Sequence, residues 1–314
     1  MNKFGVIDEL YTPIREYDYA IVCGAAGASD AEFPEKFELD HELCGEVYNQ
    51  IGETCVAYVI AQLAENYYKE KMSKGYIYGR FRAATTSGDG LVVSTAMDMW
   101  NKLGTVKESV FDLIKDMPEM KEIVNELPEL DQYAKEYPLK GYTAMNYADR
   151  DRKDRMIKDA LMKQANGEIK GYGLLAASNK GFQGGSHCIM ITGWDDTKDC
   201  YIIKNSWGKS YGTDGYYRLP KEKTNAVYLP LFDDIKLPFE DIDENGWYFK
   251  NLKNLYCSGM VNGRSETIAA PNDYITRAEV WALIDRLAGR TDDRFIIQDR
   301  VNKEKFDDIM SKFR

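Results

Sequence analysis

Asn49 to Lys69 reads NQIGETCVAYVIAQLAENYYK, a tight loop feeding a buried helix with Cys55 in its first turn. Val56, Val59, Ile60, Leu63 and Tyr67 recur at three- and four-residue spacing, which gathers them on one helical face. Ala57, Ala61 and Ala64 are small and helix-favouring, and allow close packing on another side. Gly52 permits an unusual backbone turn just ahead of the helix, and Thr54 is placed to cap it.

A cysteine at that point has chemical consequences. A helix N-terminus carries roughly half a positive charge and favours an anion. A thiol there loses its proton more easily, and the thiolate is the nucleophile. The competing role is that of a small apolar core residue. What separates the two is whether the chain supplies the partners a thiolate needs.

Composition narrows those partners. The chain has 314 residues, 44% hydrophobic and 29% charged, enough for one large core or one large and one small. A net charge of -10 argues against nonspecific nucleic-acid binding and gives no membrane-surface signal. The first residues, MNKFGVIDELYTPIREYDYAIV, lack the unbroken apolar run of a signal peptide, and no segment reads as a membrane span. Cys23, Cys44, Cys55, Cys188, Cys200 and Cys257 form no C-x-x-C pair, so a cysteine zinc site is not indicated. No metal or organic cofactor is implied. His41 and His187 are the only histidines. His41 lies in an acidic loop and reads as a surface residue.

Along the chain, residues 1–33 read as an irregular, tyrosine-rich arm. After the central helix, the stretch GYIYGRFRAATTSGDG reads as loop or short strand. A helix is predicted over Val92–Leu103, with Thr95, Met99 and Leu103 inward and Gly104 as its stop. Residues 111–137 are acidic, broken by prolines, and read as a surface excursion. A helix over Arg152–Ala165 precedes a strand at Glu168–Ala177. From Ser186 the pattern is β. SHCIMITGW and CYIIKN flank a turn at Asp195–Asp199. If Trp194 pairs with Cys200, Ile189 lies opposite Asn205. His187 is then one diagonal step away on the same face, at roughly 7–8 Å. A one-residue slip would send the two to opposite faces.

An imidazole beside a thiol can take its proton, and a third group must orient the ring and set its tautomer. Asn205 suits that role without adding charge, and Trp207 is close enough in sequence to exclude water from the bond.

These residues resemble the signature blocks of papain-like (C1 type) cysteine peptidases. The blocks are Gln50 with Cys55-Val56-Ala57, then Gly185-Ser186-His187, then Lys204-Asn205-Ser206-Trp207-Gly208. Cys55 and His187 are 132 residues apart, inside the separation of about 130–150 expected there. Pro34-Glu35-Lys36-Phe37 and the glycine-rich Tyr211–Tyr216 segment extend the likeness over residues 34–220. The resemblance implies an α+β, two-lobed fold, a helical lobe plus a β-barrel-like lobe with the cleft between. It implies Cys55 as nucleophile, His187 as general base and acid, Asn205 orienting the ring, and Gln50 as the oxyanion-hole side chain. Gly88, Gly90, Gly185 and Trp207 become the candidates for substrate contact. Two departures stand out. Gln50 lies five residues before the cysteine where the family usually has six. Glu53 puts a carboxylate two residues before Cys55, and is expected to point to solvent. The implied partner is a peptide or protein substrate. An acyl-transfer role (transpeptidase or peptidoglycan amidase) and a catalytically inert wall-binding protein are the alternatives. The arm is expected to lie over the cleft and restrain activity.

The chain divides on this reading into an arm (1–33), a peptidase domain (34–231) and a small α-helical module with tail (232–314). The run Phe239–Gly263, followed by ITRAEVWALIDRLAG, resembles one S-layer homology repeat. Thr276 and Glu279 have capping-box spacing. Trp247, Leu252, Leu255, Val280, Leu283, Ile284 and Leu287 would form its core. The resemblance implies an acidic cell-wall polymer as partner, with Arg277 at the matching arginine.

Overall fold

The computed structural model describes residues 33–82, 89–111, 129–145, 150–182, 185–233, 237, 239–249, 252, 264, 265, 267–275 and 280. The chain divides into two compact units, Met1–Ile235 and Lys236–Arg314.

In the first unit the central helix, α1, spans Cys55–Tyr68. Every residue from Cys55 to Leu63 is buried, so the helix is enclosed on its alanine side as well as on its apolar face, as the sequence leads one to expect. The alanines make this feasible, because small side chains let neighbouring elements approach closely where a bulkier residue would hold them off. Gly52 takes the turn with φ +60. Thr54 sits at the cap position, but its side chain does not cap. Its hydroxyl donates to the Ile51 carbonyl at 2.7 Å and closes the preceding turn instead.

Helix α2 (Lys74–Arg82) follows, where the sequence reads as loop or strand. Tyr76 and Tyr78 alternate as in a strand, yet nearly the whole helix is buried by tertiary packing. Its start carries a signal after all: Ser73 Oγ accepts the Tyr76 N–H at 2.9 Å, an N-cap bond. Helix α3 spans Val93–Leu103 and stops at Gly104 (φ +83). Its buried face is Val93, Ala96, Met97 and Trp100, whereas Thr95, Met99 and Leu103 are only half-buried. Helix α4 (Leu130–Ala134) is one short turn, and α5 (Arg150–Ala165) matches its predicted span closely.

The strands are β1 (Lys36–Glu38), β2 (Gly141–Ala144), β3 (Leu174–Phe182), β4 (Gly185–Asp195), β5 (Cys200–Lys204), β6 (Tyr216–Pro220) and β7 (Val227–Leu231). They form one antiparallel sheet in the order β2-β7-β3-β4-β5-β6, with β1 also paired to β4. The sheet is open among the described residues, which corrects the expectation of a barrel-like lobe. The α+β class stands, and α1 packs against β3 and β4.

A network of ion pairs fastens the tip of the β4–β5 hairpin to α5. Lys158 and Lys221 each bond to both Asp154 and Asp196 at 2.6–2.8 Å. Tyr201 donates to Asp154 at 3.0 Å.

In the second unit Leu237, Phe239 and Leu252 form a small buried cluster, with Ile242, Tyr248, Phe249 and Ala269 against it. Trp247 is 85% exposed and so is not a core residue. Its neighbours Tyr248 and Phe249 fill that role. Arg277, Thr276, Glu279, Leu255, Leu283, Ile284 and Leu287 lie outside the described residues. Phe232 belongs to the first unit, where its ring stacks on Tyr67 with centroids 4.2 Å apart.

Candidate active site

The candidate residues come from three segments: the start of α1, the start of β4 and the chain leaving β5. The hairpin register brings the last two together, by a different route from the simple one. Near the turn, Asp195 opposes Cys200 and Trp194 opposes Tyr201, one residue off the predicted pairing. A bulge between Ile191 and Gly193 then absorbs one residue, so that Met190 opposes Lys204. Beyond the bulge the pairing is the predicted one, and His187 and Asn205 share a face.

They are bonded: His187 Nε2 and Asn205 Oδ1 are 2.7 Å apart. Asn205 Oδ1 also accepts the Ser206 N–H at 2.8 Å, so it is the acceptor in both bonds. His187 therefore carries its proton on Nε2 and, when neutral, keeps a lone pair on Nδ1. The Trp207 ring stacks over the imidazole with centroids 4.5 Å apart. Both His187 and Asn205 are 0% exposed. Burial is the main influence on His187 and pushes it from 6.5 down to about 4; the Asn205 bond works in the opposite direction. An uncompensated imidazolium is costly here, and a neighbouring anion would offset that cost.

Cys55 is the first residue of α1 and is also fully buried. Its N–H is among the first four of the helix, which have no partner within it. Cys55 acts electrostatically on Cys188, the residue after His187. Burial chiefly, and then Cys55, push the Cys188 thiol well up. The thiol-bearing helix end thus lies beside the strand that bears the imidazole.

The loop ahead of Cys55 is tied to the segment after β5. Gln50 N–H donates to the Ser206 carbonyl at 2.6 Å, Gly208 N–H to the Tyr48 carbonyl at 2.8 Å, and Asn49 bridges to Trp207. The Gln50 side chain is 2% exposed. Its Nε2 donates to the Gly52 carbonyl at 2.8 Å, and its Oε1 accepts from Ser206 Oγ at 2.6 Å. Lys204 is buried too, with Nζ donating to the Cys44 carbonyl at 2.5 Å.

Glu53 is half-buried rather than turned wholly to solvent. Burial first, then the charge of Asp89, raise its carboxyl, with Arg82 opposing them. Arg82 also holds the candidate substrate rim, donating to the Gly90 carbonyl at 2.7 Å. Gly90 is buried, Gly185 and Trp207 are half-buried, and Gly88 lies outside the described residues. His41 is at the surface, bonded to Glu38 at 2.5 Å. The roles of Ser206 and Lys204 escaped the sequence reading. Strand alternation was the available signal, since neighbours of an inward Asn205 must face the other way.

Residues 132–229 match the model of the papain family cysteine protease. That segment holds His187 and Asn205; Cys55 precedes it. Cathepsin B-like CP2 of Giardia intestinalis is 45% identical over 62 residues, 17% of this chain and 21% of that protein. Human cathepsin O is 32% identical over 98 residues, 26% of this chain and 27% of that protein. The matched stretch thus spans only about a quarter of these relatives. Among solved structures, xylellain, a cysteine protease from Xylella fastidiosa, superposes with a TM-score of 0.52 at 18% identity, over 74% of this chain and 96% of that one. The fold is papain-like, and over residues 132–229 the chain is similar to the papain family cysteine proteases.

Proposed function

We propose that this chain hydrolyses peptide bonds through a thioester acyl-enzyme, with Cys55 as nucleophile and His187 as base and acid. The observation that carries the reading is the His187–Asn205 bond, whose shared acceptor leaves Nδ1 as the basic nitrogen. Nδ1 takes the Cys55 proton, and the thiolate attacks the substrate carbonyl. The negative charge on that oxygen meets the Cys55 N–H and the Gln50 amide. His187 returns its proton to the leaving amine, and a thioester remains. His187 then takes a proton from water, whose oxygen displaces the sulfur and releases the acid. Asn205 keeps the ring in one tautomer throughout, and Trp207 keeps water from the bond that does so. Gly90, Gly185 and Trp207 would line the substrate path, with Gly88.

The test is turnover of an unstructured peptide by wild type, Cys55→Ala and His187→Ala. Turnover is expected only in wild type, and turnover retained by either variant defeats the assignment. Running wall peptides beside protein substrates separates a peptidase from a transpeptidase or amidase. For the second unit, Lys236–Arg314, we infer an S-layer homology-like module that binds an acidic wall polymer. The inference is supported by its Thr276-Arg277-Ala278-Glu279 block. Co-sedimentation of the full chain with cell walls should fall in Arg277→Ala; undiminished sedimentation excludes that residue.

A further inference from the structure

Asn205 turns toward His187, and its two neighbours turn the other way. Ser206 Oγ reaches the Gln50 side chain at 2.6 Å, while Lys204 Nζ holds the Cys44 carbonyl upstream in the same loop. Lys204, Asn205, Ser206 and Gln50 are at most 2% exposed. The Ser206 backbone joins both sides: its N–H donates to Asn205 and its carbonyl accepts from Gln50.

A primary amide has nearly the same shape either way round, so its partners choose the orientation. The Gly52 carbonyl can only accept, which requires Nε2 on that side. Oε1 then faces Ser206, whose hydroxyl donates. Removing that hydroxyl takes a donor from a buried carbonyl oxygen. Reversing the amide would set oxygen against the Gly52 oxygen, so reorientation offers no escape.

We propose that Ser206 is a positioning residue, which holds the Gln50 amide with its N–H groups toward the Gly52–Cys55 turn and couples it to Asn205. It answers the departure noted in the loop: Gln50 stands five residues before Cys55, and its aim is set from across the site. The proposal rests on the peptidase reading, and its test separates the two.

The first measurement needs no turnover. The side-chain amide protons of Gln50, read by NMR in the full chain, should exchange slowly in wild type and at least 10-fold faster in Ser206→Ala, with Ser206→Thr restoring protection. Unchanged exchange in Ser206→Ala overturns the proposal. The second is a cycle of Ser206→Ala, Gln50→Ala and the double variant on a peptide substrate. Ser206→Ala should lower kcat about 10-fold with KM within about 2-fold. Removing an oxyanion donor costs about 100- to 1000-fold, and the double variant should be no slower than Gln50→Ala alone. Independent, multiplying losses overturn the proposal. A wild type inert toward peptides defeats the peptidase reading, and the amide spectrum still decides the positioning.

Discussion

Burial holds His187 at about 4, well under its ordinary 6.5, and this has a sign that can be checked. With no thiolate beside the ring, between about pH 4 and 6.5 the unfolded chain binds a proton at this residue that the folded chain refuses. Stability therefore rises with pH across that window and is lost as pH falls through it. With Cys55→Ala removing the compensating thiolate, the ring should titrate below about 5.5 by NMR. The same variant should lose up to about 3 kcal/mol of stability between pH 7 and pH 4 from this group. A ring titrating at 6.5 would show that burial is not felt. Asn205→Ala leaves a buried ring N–H without its acceptor, a loss of about 1–3 kcal/mol. We expect turnover to fall about 10- to 100-fold. Unaltered turnover would mean that packing by Trp207 alone orients the ring.

At the scale of elements, what the residues revealed depended on how local the determinants were. Helix α1 was legible because Gly52, the apolar spacing and the alanines lie within one short stretch. Helix α2 was not, because two glycines and alternating tyrosines outweigh the one Ser73 cap, and burial against the rest of the first unit decides the outcome. On α3 the buried Val93, Ala96, Met97 and Trp100 and the expected Thr95, Met99 and Leu103 both keep helical spacing, and the neighbours choose between the two faces. The His187–Asn205 pairing was legible, but only its far end. The bulge before Gly193 falls where β1 pairs with β4, Glu38 opposite Gly193, and no hairpin argument includes that strand. A Cβ on Gly193 would sit 2.2 Å from the Phe37 carbonyl oxygen. Gly193→Ala should therefore displace β1 and destabilise the fold by about 3 kcal/mol, read from denaturant midpoints. A midpoint within error of wild type would show that β1 does not hold the bulge.

For the whole molecule, the segment that matches the papain family, 132–229, lies in the first unit, and no helix among the described residues is long and apolar enough to cross a membrane. Cys55 and His187 are both 0% exposed, so a peptide cannot reach them without some displacement. Residues 1–32 of the arm lie outside the described residues. Deleting residues 1–30 is expected to raise peptide turnover; unchanged turnover rejects the arm as a restraint. The most direct test of the account treats the native full chain, and the chain starting at residue 31, with a peptide epoxide, and maps adducts on the six cysteines by mass spectrometry. The account predicts a single adduct, on Cys55, forming faster in the shortened chain and at least 100-fold slower in His187→Ala. Cys55 left unmodified in both chains, or labelled at the same rate without His187, would contradict it.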